Sequence, residues 1–197
     1  MQTDLTEIAY VLDRSGSMES LASDAIGGFN AFLSSQQELE GRANFTLILF
    51  DHEYLIVHNS VDIRQVPPLD AKTYVPRGNT ALLDAIGRTI DEVGRRLEQT
   101  SEKERPGKVI IAIFTDGLEN SSRVYTNEML AGKIQHQQER YDWEFLFLAA
   151  NQDAIASAKK LSIPAANAMN VAATPAGIRQ SQQMLNESIT QRRQRPS

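Results

Sequence analysis

Residues 109–114, Val-Ile-Ile-Ala-Ile-Phe, form an unbroken apolar run that ends on Thr115-Asp116-Gly117. A strand with one wet face alternates apolar and polar residues, whereas a continuous run must be covered on both faces. The run is too short for a helix of its own, is rich in β-branched residues, and is bounded by the charged turn TSEKERPG (100–107) and by Asp-Gly. It therefore reads as a central parallel strand over 108–115. A buried parallel strand needs helices on both sides, so the rest of the chain has to alternate strands with helices.

It does so. Residues 5–12 (LTEIAYVL) and 43–50 (ANFTLILF) read as strands, and 53–61 (EYLIVHNSV) follows after only Asp51-His52, which predicts an antiparallel hairpin. Met18, Leu21, Ala25, Phe29 and Phe32 recur at helical spacing within 18–38, as do Leu82, Ile86, Ile90, Val93 and Leu97 within 80–99. Phe29 and Phe32 are expected in the core. Pro67, Pro68, Pro76 and Gly78 mark 62–79 as an ordered loop. A helix over 126–140, a strand over 143–149, a helix over 152–161, a weak strand near 168–172 and a helix over 175–192 complete the pattern. Trp143 is expected in the core or at its rim. The order predicts an open, mostly parallel sheet with helices on both faces. One domain over 1–197 is expected, with its core at about 4–172 and its closing helix at about 175–192. The tail, Arg192-Arg193-Gln194-Arg195-Pro196-Ser197, reads as a solvated end, with a polyanion contact as the alternative.

Composition narrows the chemistry. The 197 residues include no cysteine and only three histidines, His52, His58 and His136, which are scattered. Disulfide scaffolds, thiolate metal sites and cysteine catalysis are excluded, and a zinc site has few ligands available. The formal charge of −5 is not segregated into blocks and argues against a nucleic-acid surface. The longest apolar runs, 109–114 and 145–150, are six residues each, against the ~18–20 that span a bilayer, and the N-terminus lacks the pattern of a leader peptide. No membrane span and a cytoplasmic location are expected. Asn120-Ser121-Ser122 matches a glycosylation sequon and reads as a chance match. A metal here would have to be held by oxygen.

The oxygen donors cluster at strand ends, where open α/β sheets bind ligands. Asp13, Ser15 and Ser17 follow the first strand, Asp116 follows the central one, and Thr80 starts the helix after the Pro/Gly loop. Mg²⁺ takes six oxygens in near-octahedral geometry and keeps several waters. Alternate residues of an extended loop point the same way, so Ser15 and Ser17 can ligate together, with Thr80 as a third hydroxyl. Asp13 and Asp116 roughly balance the charge, directly or through water. The competing reading makes Ser17 or Thr80 a helix N-cap. Arg14 and Arg77 flank the motif and would either attract an acidic surface or stay solvated. Glu119 and Asp51 would approach the ion through water or serve local turns, and Asn79 would orient Thr80 or serve only its own turn.

Together these segments resemble the von Willebrand factor A family and its metal-ion-dependent adhesion site. The family motif, Asp-x-Ser-x-Ser with a separated Thr and a separated Asp, stands here as Asp13, Ser15, Ser17, Thr80 and Asp116, within AYVLDRSGSM, GNTALLDAIG and VIIAIFTDGLENSS. The resemblance covers about 4–172. It implies an α/β, Rossmann-like three-layer fold with a six-stranded sheet and one antiparallel edge strand. It implies Mg²⁺, with Mn²⁺ or Ca²⁺ as alternatives, ligated by Ser15, Ser17 and Thr80, with Asp13 and Asp116 often acting through water. A protein partner's Asp or Glu would complete the coordination. The chain looks like the small bacterial or phage type, whose relatives work beside AAA+ ATPases, kinases and phosphatases, or stress-response operon products.

A metal-dependent protein-binding module is the expected function. One alternative is Mg²⁺-dependent phosphoryl transfer, but Ser15 stands where haloacid-dehalogenase-type phosphatases carry a second Asp, and neither a P-loop nor a Gly-x-Ser-x-Gly elbow is present. The other is a scaffold with a vestigial metal site.

Overall fold

The computed structural model describes residues 1–150 and 153–195. Strand β1 (Gln2–Asp13) lies at the centre of a six-stranded sheet, parallel to β2 (Arg42–Phe50) on one side and to β4 (Pro106–Thr115) on the other. The order is β3-β2-β1-β4-β5-β6. Strand β3 (Tyr54–Asp62) is antiparallel to β2 at one edge, while β5 (Glu144–Ala150) and β6 (Ala168–Val171) continue the parallel run. The expected hairpin and the buried central run are both present.

Period-two alternation divides the core into two layers. Ile8, Tyr10 and Leu12 face α1 (Ala22–Glu38) and α5 (Pro175–Gln194), where Tyr10 packs edge-on against Phe29 at 5.4 Å between ring centroids. Ala9 and Val11 face α2 (Leu82–Gln99), α3 (Asn127–Tyr141) and α4 (Ala154–Lys160) through Ile86, Ile90, Leu130 and Ala158. Burying each such Leu, Ile or Phe contributes about 1.5–3 kcal/mol. The result is a three-layer α/β fold. Among the described residues, no helix is long and apolar enough to cross a membrane.

Most boundaries shift by one or two residues, and three differ in a way that bears on the packing. Strand β1 starts at Gln2, where its N–H bonds Arg105 O at 2.8 Å. The helix expected over 18–38 opens as a 3₁₀ turn, Gly16–Leu21, before α1 begins. The helix expected over 152–161 starts outside the described residues, and α4 runs Ala154–Lys160 with Asp153 capping the Ala156 N–H at 3.0 Å.

The arginines expected in a solvated tail are structural. Arg192 is buried, paired with Glu144 and hydrogen-bonded to Asn167 Oδ1 at 2.7 Å, and Arg193 donates to Gln36 Oε1 at 2.9 Å. Lys108 Nζ donates to the Arg192 and Arg193 carbonyls, a cation at the helix C-terminus where the dipole favours one. The polyanion reading fails for this pair because their guanidiniums are committed inside the fold.

Thr174 and Pro175 start α5, the threonine hydroxyl accepting from the Gly177 N–H at 3.1 Å. A Cβ on Gly177 would lie 2.2 Å from the Ala172 carbonyl oxygen, a backbone atom with little room to move. Gly177→Ala is expected to cost about 1–3 kcal/mol by forcing the start of α5 off the sheet. Urea denaturation measures it, and a variant within experimental error of wild type would show that α5 can shift freely.

Candidate functional site

Strands β1 and β4 are paired through Leu12 and Phe114, so the loops that follow them emerge side by side. Asp13, the last residue of β1, is buried: its Oδ1 accepts from the Ser15 N–H at 2.7 Å and its Oδ2 from Thr115 Oγ1 at 2.5 Å. Ser15 Oγ lies 3.1 Å from Ser17 Oγ, and Ser17 Oγ donates to Asp116 Oδ1 at 2.8 Å. A Cβ on Gly117 would stand 2.9 Å from Thr80 Oγ1 and 3.5 Å from Ser17 Oγ, so both hydroxyls border the glycine and the absence of a side chain keeps the space between them. All five motif residues meet in one place.

The loop over 62–79 supports them from below. Tyr74 Oη donates to the Asp13 carbonyl at 2.6 Å, Arg77 N–H to Arg14 O at 2.9 Å and Gly16 N–H to Gly78 O at 3.1 Å. Gly78 has a φ of +67°, and a Cβ there would meet His52 Nδ1, so the turn requires glycine. The loop after β4 brackets Thr80 from above. Asn120 Oδ1 accepts from the Thr80 N–H at 3.0 Å, and the Asn120 and Ser121 N–H groups donate to Thr80 O at 3.1 and 3.2 Å.

The N-cap reading of Ser17 and Thr80 is not what the fold uses. Ala81 precedes α2, and the helix's first free N–H groups are satisfied from elsewhere: Leu83 by Glu119 Oε2 at 2.9 Å and Asp84 by Ser122 Oγ at 3.0 Å. Glu119 also accepts from the Ser121 N–H, the Ser122 N–H and Ser122 Oγ, so its carboxylate is spent on local structure rather than aimed at an ion. Asn79 is exposed, and Asn120 performs the orienting task expected of it.

Arg14 is neither solvated nor offered to a partner. Its N–H bonds Phe50 O at 2.8 Å, which places its side chain beside Asp51 at the end of β2. Arg14 is 6% exposed, with Nε 3.2 Å from Asp51 Oδ2 in an ion pair that lacks hydrogen-bond geometry. Arg77 Nε donates to the same oxygen at 2.9 Å and its Nη2 pairs with Glu53. Asp51 is thus the hub of an internal ion cluster.

The site's own carboxylates are electrostatically uncomfortable. Burial pushes Asp13 up to about 6, against the opposing hydrogen bonds from Thr115 and Ser15, and the charge of Asp116 adds to the rise. Burial also raises Asp116, opposed by its hydrogen bond from Ser17. Among the described residues no three His, Cys, Asp or Glu side chains converge on a common point. The donor set is therefore two carboxylates and three hydroxyls. These all-oxygen donors suit a hard divalent cation, whose charge would relieve both buried acids.

Sequence reasoning missed Thr115, Tyr74, Asn120, Glu119 as a cap, and Ser122. Each acts through a partner distant in sequence, and no local spacing marks it.

No family model matches the chain, and no curated protein matches it. Solved structures do. Proximal thread matrix protein 1 from the mussel byssus, in a structure with a zinc-occupied MIDAS motif, aligns with a TM-score of 0.65 at 10% identity over 94% of this chain and 48% of that one. Manganese-loaded TRAP protein of Plasmodium vivax aligns with a TM-score of 0.55 at 17% identity over 77% of this chain and 59% of that one. The von Willebrand factor type A structure from Catenulispora acidiphila gives 0.56 at 17% identity over 92% and 41%. The chain spans between 41% and 59% of the length of these proteins. With its central parallel run, antiparallel edge strand and flanking helices in the same arrangement, the chain has the von Willebrand factor A fold.

Proposed function

We propose that the chain is a divalent-cation-dependent protein-binding module. Ser15, Ser17 and Thr80 ligate Mg²⁺, Asp13 and Asp116 act directly or through water, and an Asp or Glu of a protein partner completes the shell. Mn²⁺ and Ca²⁺ are the alternative ions. The observation that carries the reading is the chain of contacts from Ser15 Oγ to Ser17 Oγ at 3.1 Å and on to Asp116 Oδ1 at 2.8 Å, with Thr80 Oγ1 across Gly117, while Glu119 and Ser122 do the helix capping. The zinc and manganese in two structures of the same fold support a divalent ion. Neutral hydroxyls leave such an ion electrophilic, which is what gives an acidic partner its affinity.

The proposal is of binding rather than catalysis. The Ser15 and Ser17 hydroxyls are engaged with each other and with Asp116, and among the described residues no histidine lies at hydrogen-bond distance from either. The partner proposed is a cytoplasmic protein of the AAA+ ATPase, kinase, phosphatase or stress-response class.

Titration calorimetry with Mg²⁺ and Mn²⁺ tests the site. Wild type is expected to bind, and Ser17→Ala and Asp116→Ala to bind about 10–100-fold more weakly with unchanged circular dichroism. Equal heats in wild type and both variants would end the proposal.

A further inference from the structure

A cleft of about 610 Å³ opens beside Thr80 on the flank of α2, lined in part by Tyr54, Ala81, Ala85, Arg88, Val124 and Tyr125. Its lining residue Ala81 directly follows Thr80, so the cleft begins one residue from the metal site. Its walls are held in place. Asp84 accepts the N–H groups of Arg123, Val124 and Tyr125 at 2.8–2.9 Å, fixing the far wall, and a Cβ on Gly87 would lie 2.4 Å from the Tyr125 ring. On the near wall the Arg88 guanidinium carbon sits 4.4 Å from the Tyr54 ring centroid, and Tyr54 Oη is 3.2 Å from Thr89 Oγ1.

The acids around this cleft are already occupied. Glu53 is paired with Arg77, Asp84 holds three backbone N–H groups, and Asp91 takes Lys133 and Tyr125 Oη. Among the described residues, Arg88 has no carboxylate at ion-pair distance. A guanidinium stacked on an aromatic ring keeps its N–H edge free to donate in plane, which is the geometry that receives a carboxylate. Arg14 and Arg77, by contrast, are committed to Asp51.

We propose that the partner segment carries two acidic side chains, one completing the metal and the second seated on Arg88; this rests on the metal-dependent binding reading above. Arg88 lies seven residues along α2 from Ala81, about 10 Å at 1.5 Å per residue. An extended segment covers that distance in about three residues at roughly 3.3 Å each. Side chains two or four positions apart share a face of an extended segment, so the recognised pattern is an acid followed, or preceded, by another acid two or four positions away. The exposed Val124 side chain contacts the residues between them.

Selection from a displayed library of random peptides, with Mg²⁺ and with a chelator, tests this. Peptides enriched only in Mg²⁺ are expected to carry two acids at that spacing. Arg88→Ala is expected to weaken such a peptide about fivefold, an effect that shrinks at high salt and vanishes when the peptide's second acid is replaced by glutamine. Arg88→Lys is expected to recover only part of the loss. Mg²⁺-dependent peptides with a single acid, or an Arg88→Ala loss that persists with the glutamine peptide, would overturn the second contact and leave the metal reading standing. Acidic peptides enriched equally in chelator, or by Asp116→Ala, would overturn the metal reading itself.

Discussion

Asp51→Ala is expected to lower stability by about 3–5 kcal/mol, the usual cost of removing one partner from a buried ion pair. Asp51 is fully buried and Arg14 is 6% exposed, so the deletion strands a guanidinium away from water. Asp51 also accepts from the Glu53 N–H at 2.5 Å, which adds a lost turn. For a chain of this length, about 2–4 °C of melting temperature accompanies each kcal/mol, so a drop of roughly 6–20 °C follows. Arg77→Ala is expected to cost far less, because its side chain is 46% exposed and water replaces the contact. The double variant Arg14→Met with Asp51→Ala should recover much of the loss, since no unpaired charge remains. Thermal and urea denaturation read all four proteins. An Asp51→Ala loss no larger than that of Arg77→Ala would mean that the Arg14–Asp51 pair is solvated in solution.

The parts of this molecule that were legible in sequence are those governed by local pattern. The run 109–114 announces a strand covered on both faces, and two residues between 43–50 and 53–61 announce a hairpin. The metal-site candidates were legible because Asp13, Ser15 and Ser17 share one loop, and Thr80 and Asp116 stand at element ends. Their support was not legible, because it crosses the chain. Asp13 and Thr115 are 102 positions apart, Tyr74 and the Asp13 carbonyl 61, and Thr80 and Asn120 40. Residue type even misled at Arg14, Arg192 and Arg193. A charged side chain beside a site or in a tail reads as exposed, and only the sheet register or the docking of α5 reveals the acid or amide that lets it be buried. Glu119 shows the same limit: a carboxylate near a strand end was open to metal or turn chemistry, and it takes three donors from its own turn and a fourth, the Leu83 N–H, from 36 positions away.

Asp13→Asn is expected to stabilise the metal-free protein near neutral pH while weakening its response to metal. Burial holds the Asp13 carboxyl at about 6, above its unfolded value of about 3.9, so the folded chain holds the proton more tightly than the unfolded one. The stability this contributes is complete below about pH 4 and is lost as pH rises through about 6. Two pH units correspond to at most about 3 kcal/mol. Asparagine acts as a permanently neutral Asp13. Its Oδ1 can still accept from the Ser15 N–H, and its amide can donate to Thr115 Oγ1, whose own proton can turn to Gly117 O at 3.2 Å. In chelator, the variant should therefore exceed wild type by up to about 3 kcal/mol near pH 7.5, with the two converging near pH 4. Saturating Mg²⁺ should reverse the order at pH 7.5, because a bound ion stabilises the folded state in proportion to its affinity and a neutral residue 13 gives it less charge to bind. For wild type the metal-induced shift in melting temperature should shrink as pH falls through about 6, where protons compete for the same oxygens. Urea denaturation of both proteins across this pH range, with Mg²⁺ and with chelator, is the measurement. A metal-free wild type that holds or gains stability relative to the variant between about pH 4 and pH 6.5 would show that Asp13 is not strained by its burial.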